Sequence, residues 1–577
     1  MEQSSNTRRW TVVVAGALAV VLLAVGCKAS DSSDDSSGST PPGTISVDLT
    51  NETAGQPKAG GKLAYGLNAE SDGYNPALGR WAASTYIVGF SMMDPLAAYD
   101  DKLQPQPYLA KSIAPNADFT QWTITARDGV SLHDGKPVDA KLIATNLTAQ
   151  KASPLTGAAL DFMESATVPA GSSNTVIVKM NKPWSTFPHI LTAQVGTIAS
   201  EDTLTPAGSL KPVGSGPFIF EQWTTGKNLT VRKNPNYWRK GFPYLDNIEF
   251  IPLPDPSTRG NALQSGSVNI FETSDAAQIL DYTKRATEKQ DGVQIFTDKA
   301  GDGPKIFIGL NTTKEPFNDP IARQAVAYSG DVVLLSEQGY ENVFPPAYGP
   351  FSPSSPFFTK VDNYPTHNLE KAKALAQQYQ EKHGKPLAFS ANITPDPAVG
   401  KVAQVLQQQA AEAGIQVSLN SEEQVKLIVD ALTGNYQATG FILFGSPHLD
   451  REYVFVAAPP KENGQTSLNF TRNGLGNCDA EGKNCSPNGA NDKIVAAMDK
   501  ARTTSDFAKQ KEQYDIVQRE MANNLNFLFL VQQANAVVYD KNVHGAKLWQ
   551  LPDENGQPGL QGYPNPQTMV FNLWLSR

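Results

Sequence analysis

Nucleophiles and metal ligands are sparse in this chain. Three cysteines and six histidines are spread over 577 residues, and no two histidines lie at the spacing that sets two imidazoles on one helical face for zinc. A Gly-x-Ser-x-Gly elbow, a Ser-x-x-Lys pair, a His-Glu-x-x-His helix and a phosphate loop ending in Gly-Lys-Ser/Thr are all absent. PVGSGP at 212–217 has the glycines of such a loop but lacks its ending, so it reads as the lead into a strand. Enzymatic chemistry, a cofactor and a bare metal ion are therefore not expected. A net charge of −9, from 48 Lys and Arg against 57 Asp and Glu, also argues against a nucleic-acid partner, which needs a basic footprint.

The cysteines carry the chemistry that remains. Arg8 and Arg9 precede an apolar run from about Trp10 to Val25 that ends in Ala24-Val25-Gly26-Cys27, the layout of a secretory signal. The last four residues resemble the bacterial lipobox, with alanine where leucine is usual. Its cysteine thiol receives a diacylglyceryl group before cleavage, so 1–27 is expected to be a signal peptide and Cys27 the lipid-attached mature N-terminus. An uncleaved membrane anchor is the alternative, although the run is marginal for a span. Residues 28–57 are rich in Ser, Asp, Gly and Pro and bury too little apolar surface to offset their ordering entropy, so they read as a flexible linker. Cys478 and Cys485 stand in the polar stretch LGNCDAEGKNCSPNG. A small stapling disulfide suits an exported chain there; a zinc site is the rival, and the stretch lacks the further ligands it would need.

Roughly 520 residues follow the linker, enough for two or three domains. Apolar alternation marks strands at Lys62–Leu67, Trp122–Arg127, Pro217–Trp223 and Asn228–Lys233. Val138-Asp139-Ala140 opens a helix capped by Asp139, another helix begins near Pro320, and 367–379 and 401–413 are amphipathic helices, the latter stopped by Gly414 before the strand 415–419. Strands and helices alternate throughout without internal repeats, which predicts an α/β body.

LAKSIAPNADFTQWTITARDGVSLHDGKPVDA, PVGSGPFIF, ALQSGSVNI, LNTTKEPFNDPIARQAVAYSGD and AAEAGIQVSL, in this order, resemble the extracellular solute-binding proteins of peptide and nickel ABC importers. The similarity spans about 60–577. It implies a two-lobed periplasmic-binding-protein-like clamp of type II: 58–95, 211–300 and 525–577 as lobe I, 96–210 as the extra domain of the peptide-binding family inserted in it, and 301–524 as lobe II. It also implies a monomer, lipid-anchored on the extracytoplasmic face of the bacterial cell membrane, that captures oligopeptides or dipeptides between its lobes and delivers them to ABC permease subunits. The alternatives are haem, a nickel chelate or a sugar as cargo, or the same fold serving ligand sensing or cell-envelope assembly. In peptide-binding members an aspartate after a Gly-Trp strand end pairs with the ligand's α-amino group. The matching stretch here is FILFGSPHLDREY, with Phe444 at the tryptophan position and Pro447 where the aspartate should be. Tyr74, Trp81, Phe444, His448 and Asp450 are accordingly the ligand-binding candidates, with Asp450 the replacement partner for an ammonium. Each has a plainer reading: Trp81 and Phe444 as core, His448 as a surface histidine, and Asp450 as half of a solvated pair with Arg451.

Overall fold

Turn and cap residues set most element boundaries. In the computed structural model, which describes 56–297, 303–394, 397–457, 469, 489–547, 549–563 and 569–576, the alternating stretch around Trp122 forms the strand Gln121–Ala126, with Trp122, Ile124 and Ala126 buried. Aspartates open the helices. Asp139 accepts from the Leu142 amide ahead of Ala140–Ala152, Asp255 from Thr258 ahead of Pro256–Gln264, and Asp319 from Ile321 ahead of Pro320–Ser329. Each cap satisfies an amide that the first helical turn leaves unpaired, an effect of about 1 kcal/mol. In the last two helices the proline directly after the cap occupies the position where a missing N–H costs nothing.

Stretches far apart in sequence share sheets. A seven-stranded sheet runs Gln294–Thr297, Ala536–Tyr539, Ile270–Thr273, Lys62–Leu67, Asn247–Pro252, Asn228–Lys233, Phe218–Thr224. Its parallel centre, where Lys62–Leu67 pairs with both Asn247–Pro252 and Ile270–Thr273, has antiparallel flanks. A five-stranded sheet runs Gln416–Ser421, Ala388–Ile393, Ala438–Leu443, Lys305–Leu310, Phe527–Gln532. The chain thus passes from the first sheet to the second between Thr297 and Lys305 and returns between Gln532 and Ala536. Here the structure differs from the expected boundary at 524. Phe527–Gln532 is fully buried and hydrogen-bonds to Lys305–Leu310, because its unbroken apolar run fits the interior of the second lobe.

Between the first sheet's early strands lies an antiparallel four-stranded sheet, Ala110–Pro115, Gln121–Ala126, Thr175–Met180, Met163–Thr167. The helix Ala140–Ala152 buries Leu142, Ile143 and Leu147 in the same cluster as Trp122, Ile124, Val176 and Val178. The molecule is an α/β protein of two lobes with this sheet inserted in one of them, and the described residues belong to one compact unit.

PVGSGP and the His-Asp-Gly turn are folding features. The His133 amide donates to the Gly214 carbonyl at 2.8 Å, and the imidazole Nε2 lies 3.0 Å from the Gly216 carbonyl. A methyl on Gly216 would stand 2.4 Å from the Met92 carbonyl carbon, so the backbones meet only because that side chain is missing. Buried Asp94 completes the junction by accepting from Ser215 Oγ, Tyr237 Oη and Trp238 Nε1 at 2.8–3.0 Å.

Gly216→Ala should therefore lower stability by about 1–3 kcal/mol through overpacking. Gly400→Ala lies inside the helix Pro397–Glu412 with nothing within 4 Å of the new methyl, and should raise stability by about 1 kcal/mol. Urea midpoints of the two variants check this; a neutral Gly216→Ala would remove the close approach as a constraint.

Candidate functional site

The two lobes and the inserted domain enclose a cavity of about 1000 Å³, at the upper end of the roughly 300–1000 Å³ typical of ligand sites. The loop after Lys62–Leu67 and the helix Ala83–Met92 bring Asn68, Arg80, Trp81 and Tyr86 to its wall; the insertion adds Tyr99, Thr156 and Gln194. From the second lobe come Phe441, Ser446, Pro447 and Arg451, and the returning crossover supplies Gln533 and Asn535.

Trp81 is fixed from two sides. Its ring meets Tyr86 edge-on at 5.3 Å and Phe90 at 6.1 Å, and a methyl on Gly89 would lie 2.7 Å from it. The indole Nε1 is buried with no hydrogen-bond partner among the described residues, and so is Oδ1 of Asn68. An unpaired buried polar atom costs about 1–3 kcal/mol.

The opposite wall is the segment that follows the strand Ala438–Leu443. Phe444 has φ +60°, a left-handed conformation uncommon for a bulky residue. Lys305, itself buried, holds it by donating to the Phe444 carbonyl at 3.1 Å, and the Glu452 carboxylate lies near the backbone amides of Phe444 and Ser446. Such strain is sustained only where surrounding contacts over-determine the backbone. The segment then enters a 3₁₀ turn, Leu449–Glu452, with His448 Nδ1 accepting from the Asp450 amide at 3.3 Å. At three residues per turn, successive side chains point about 120° apart. Asp450, Arg451 and Glu452 consequently diverge.

Asp450 is 1 % exposed and does not face the cavity. It pairs with the Arg502 guanidinium, also 1 % exposed, and accepts from Trp184 Nε1 at 2.8 Å and Thr186 Oγ1 at 2.6 Å. Arg502 is sandwiched by aromatic rings, 3.4 Å from the Tyr453 centroid and 4.5 Å from that of Trp184. His448 lies beside this junction, stacked on His189 of the insertion at 3.9 Å and met edge-on by Phe357. Arg451 and Glu452 both line the cavity, and the phenols of Tyr86 and Tyr99 lie near the Arg451 guanidinium. The Tyr99 hydroxyl lies 3.1 Å from His189 Nδ1.

Residues 104–457 match the family model of bacterial extracellular solute-binding proteins, family 5, middle region. The chain belongs to this family. It is similar to the glutathione-binding protein GsiB of Pectobacterium atrosepticum, at 27 % identity over 64 % of this chain and 70 % of that one. Against the oligopeptide-binding protein AppA of Bacillus subtilis the identity is 25 % over 86 % of this chain and 90 % of the other. The solved structure of AgaA from A. tumefaciens R10 in complex with agropinic acid shares the fold: TM-score 0.74 at 23 % identity, covering 90 % of this chain and 99 % of that one. Membership makes this chain an extracytoplasmic solute-binding protein of the ABC importer class and not an enzyme. Among the described residues no helix is long and apolar enough to cross a membrane, and no three His, Cys, Asp or Glu could hold a metal ion.

Of the family-derived candidates, Trp81 lines the cavity. Tyr74 does not: it is 3 % exposed in the first lobe's core, its ring against Trp223 at 5.4 Å, because its loop folds inward over the sheet. Phe444 touches the cavity wall, but its ring is a core element among Phe307, Phe527 and Phe529. His448 and Asp450 lie behind the wall, and Asp450 is already neutralised by Arg502, so neither is placed to meet an ammonium. Cys27, Cys478 and Cys485 lie outside the described residues. Tyr86, Tyr99, Asn68 and Arg451 were missed; nothing in sequence separates Arg451 from an ordinary surface partner of Asp450 until the 3₁₀ turn parts them.

Two expectations follow. Asp450→Ala should destabilise the protein by about 3–5 kcal/mol in a urea titration by leaving Arg502 buried without its counter-charge; a stable variant with weakened ligand binding would restore Asp450 to the cavity. Burial pushes His448 and His133 down to about 4 and His189 well below its ordinary value, against about 6.5 when unfolded. The unfolded chain then binds protons that the folded one refuses, so stability is full above about pH 6.5 and falls as the pH drops towards 4. His448→Gln should lose less urea resistance than the wild type between pH 7 and 4.5; parallel profiles would count against a neutral buried His448.

Proposed function

We propose that this chain captures oligopeptides or dipeptides in the cavity between its lobes and delivers them to the permease of an ABC importer. The observation that carries this reading is the cavity of about 1000 Å³, walled by aromatic rings and by the amide side chains of Asn68, Gln194, Gln533 and Asn535. A peptide backbone supplies donors and acceptors for such amides at every residue. Aromatic surfaces beside them, Trp81, Tyr86 and Phe441, take varied side chains without demanding one. The names of GsiB and AppA, one glutathione-binding and one oligopeptide-binding, support the same class of cargo.

A lipid on Cys27 would hold the protein at the outer face of the membrane, with 28–57 as a leash. Two acyl chains suffice for stable anchoring, since each buried methylene contributes about 0.8 kcal/mol. Tethering raises the effective concentration of the binder near its permease. Closure of the lobes around cargo would present the shape the permease reads.

A carboxylic-acid cargo other than a peptide is the second reading, favoured by the Arg451 charge at the cavity and by the agropinic acid bound to AgaA. Protein lacking 1–57, purified natively and then denatured, should release a near-stoichiometric peptide mixture identifiable by mass spectrometry. Release of a single non-peptide acid would favour the second reading. An empty protein that shows no thermal shift with peptide pools would overturn the peptide reading.

A further inference from the structure

The cavity does not stop at the seam between the lobes. Residues paired across neighbouring strands share a face. The register sets Ile306 opposite Ile442, Ile308 opposite Gly440 and Ala391 opposite Leu419, and with Ala391 also opposite Ala438 it gathers them on one face of the five-stranded sheet. The first six line the cavity. Across from them the helix Pro397–Glu412 presents Val402, Ala403, Leu406 and Ala410 to the same space, one apolar stripe at helical spacing. In an ordinary core two such surfaces close on each other and leave few voids larger than a water molecule. Here they stand apart. Ile442 is 43 % exposed, Ile306, Ile308, Leu406 and Leu419 are only half-buried, and a methyl on Gly440 would meet nothing nearer than Ile393 Cγ2 at 4.0 Å. Exposure falls along the strand from Ile442 through Gly440 to Ala438, which is fully buried. The gap is a slot, open at the Leu443 end of that strand, where the chain passes into the cleft wall, and closed inward.

The polar side chains beside the slot are already committed. Gln407 donates from Nε2 to the Val417 carbonyl at 2.7 Å, and Ser329 donates from Oγ to the Val326 carbonyl at 2.8 Å. Asp331 caps the helix Val332–Tyr340, accepting from the amides of Val333 and Leu334. A peptide backbone laid between the sheet and the helix would leave its own N–H and C=O groups without partners, which is costly. A hydrocarbon chain carries no such groups, and apolar cavities take apolar occupants. From Val402 to Ala410 the helix wall runs about 12 Å at 1.5 Å per residue, further than a leucine or phenylalanine side chain reaches.

Resting on the reading of the cavity as a peptide site, we propose that the slot between this sheet face and the helix Pro397–Glu412 is a subsite for a linear hydrocarbon tail, and that the cargo is an acylated peptide. The peptide head lies between the lobes, against the amides of Asn68, Gln533 and Asn535. The acyl chain runs past Ile442 and over Gly440, where the missing side chain leaves it room. Leu406 and Leu419 close on it from the helix and from the sheet edge.

Calorimetric titration of wild-type protein with tetra-alanine bearing an N-terminal acetyl, butanoyl, hexanoyl or octanoyl group tests this, with octanoate alone and unmodified peptide pools alongside. Affinity should rise about fourfold for each methylene added, the factor that follows from burying one CH₂ group. Gly440→Leu puts a side chain into the slot and should cut that rise to below about twofold per methylene. Affinity independent of chain length in the wild type overturns the slot, whether or not the variant folds, and leaves the peptide reading standing if the pools bind. A rise that persists undiminished in a folded Gly440→Leu places the tail elsewhere and overturns the assignment too. Octanoate binding as tightly as octanoyl-tetra-alanine makes a free fatty acid the cargo and overturns the peptide head. Binding by neither the series nor the pools overturns both the subsite and the peptide reading beneath it.

Discussion

The buried pair of Asp450 and Arg502 is the contact on which the arrangement around the cavity depends. Two full charges sit in an environment that excludes water, and each is tolerable only because the other, two hydrogen-bond donors and a sandwich of rings surround it. Trp184 and Thr186 belong to the inserted domain, Asp450 and Arg502 to the second lobe. The Arg502 carbonyl also accepts from the Ser185 amide, and its guanidinium donates to the Ala159 carbonyl. The insertion is thereby tied to the second lobe through this buried polar junction, with the Lys182–Asp499 ion pair at 3.2 Å as a further link.

A short turn distributes the electrostatics. Successive side chains on the 3₁₀ turn point about 120° apart, so three consecutive charged residues separate. Asp450 closes the seam, while Arg451 and Glu452 both line the cavity, Glu452 near the strained Phe444. Position in the turn decides which of two neighbouring charges is structural and which is available to a ligand, and the chemistry of the residue does not.

Legibility followed distance along the chain. The strand at Lys62–Leu67, the Asp139 cap, the helix at Pro320 and the glycine stop at Gly414 depend on residues within a few positions of one another, and the structure has them where the pattern put them. The lobe boundary near 524 missed because Phe527–Gln532 is apolar on both faces, a pattern that fits the interior of either sheet; its partner, Lys305–Leu310, is more than 200 residues away. Tyr74 and Trp81 looked alike as aromatic residues of one loop. Only the loop's path puts one ring under Trp223 and the other at the cavity.

By itself the sequence determined the family, the α/β class, the absence of enzyme motifs and the caps and turns that begin each element, because all of these are written in local spacing or in ordered motifs. Tertiary structure alone decided which charges are spent and which are open. Asp450 and Arg451 are adjacent in sequence with opposite charges, and they read as one surface pair. Whether either is free depends on Arg502, Trp184 and Tyr99, residues 50 to 350 positions away, and burial by such distant partners has no local signature.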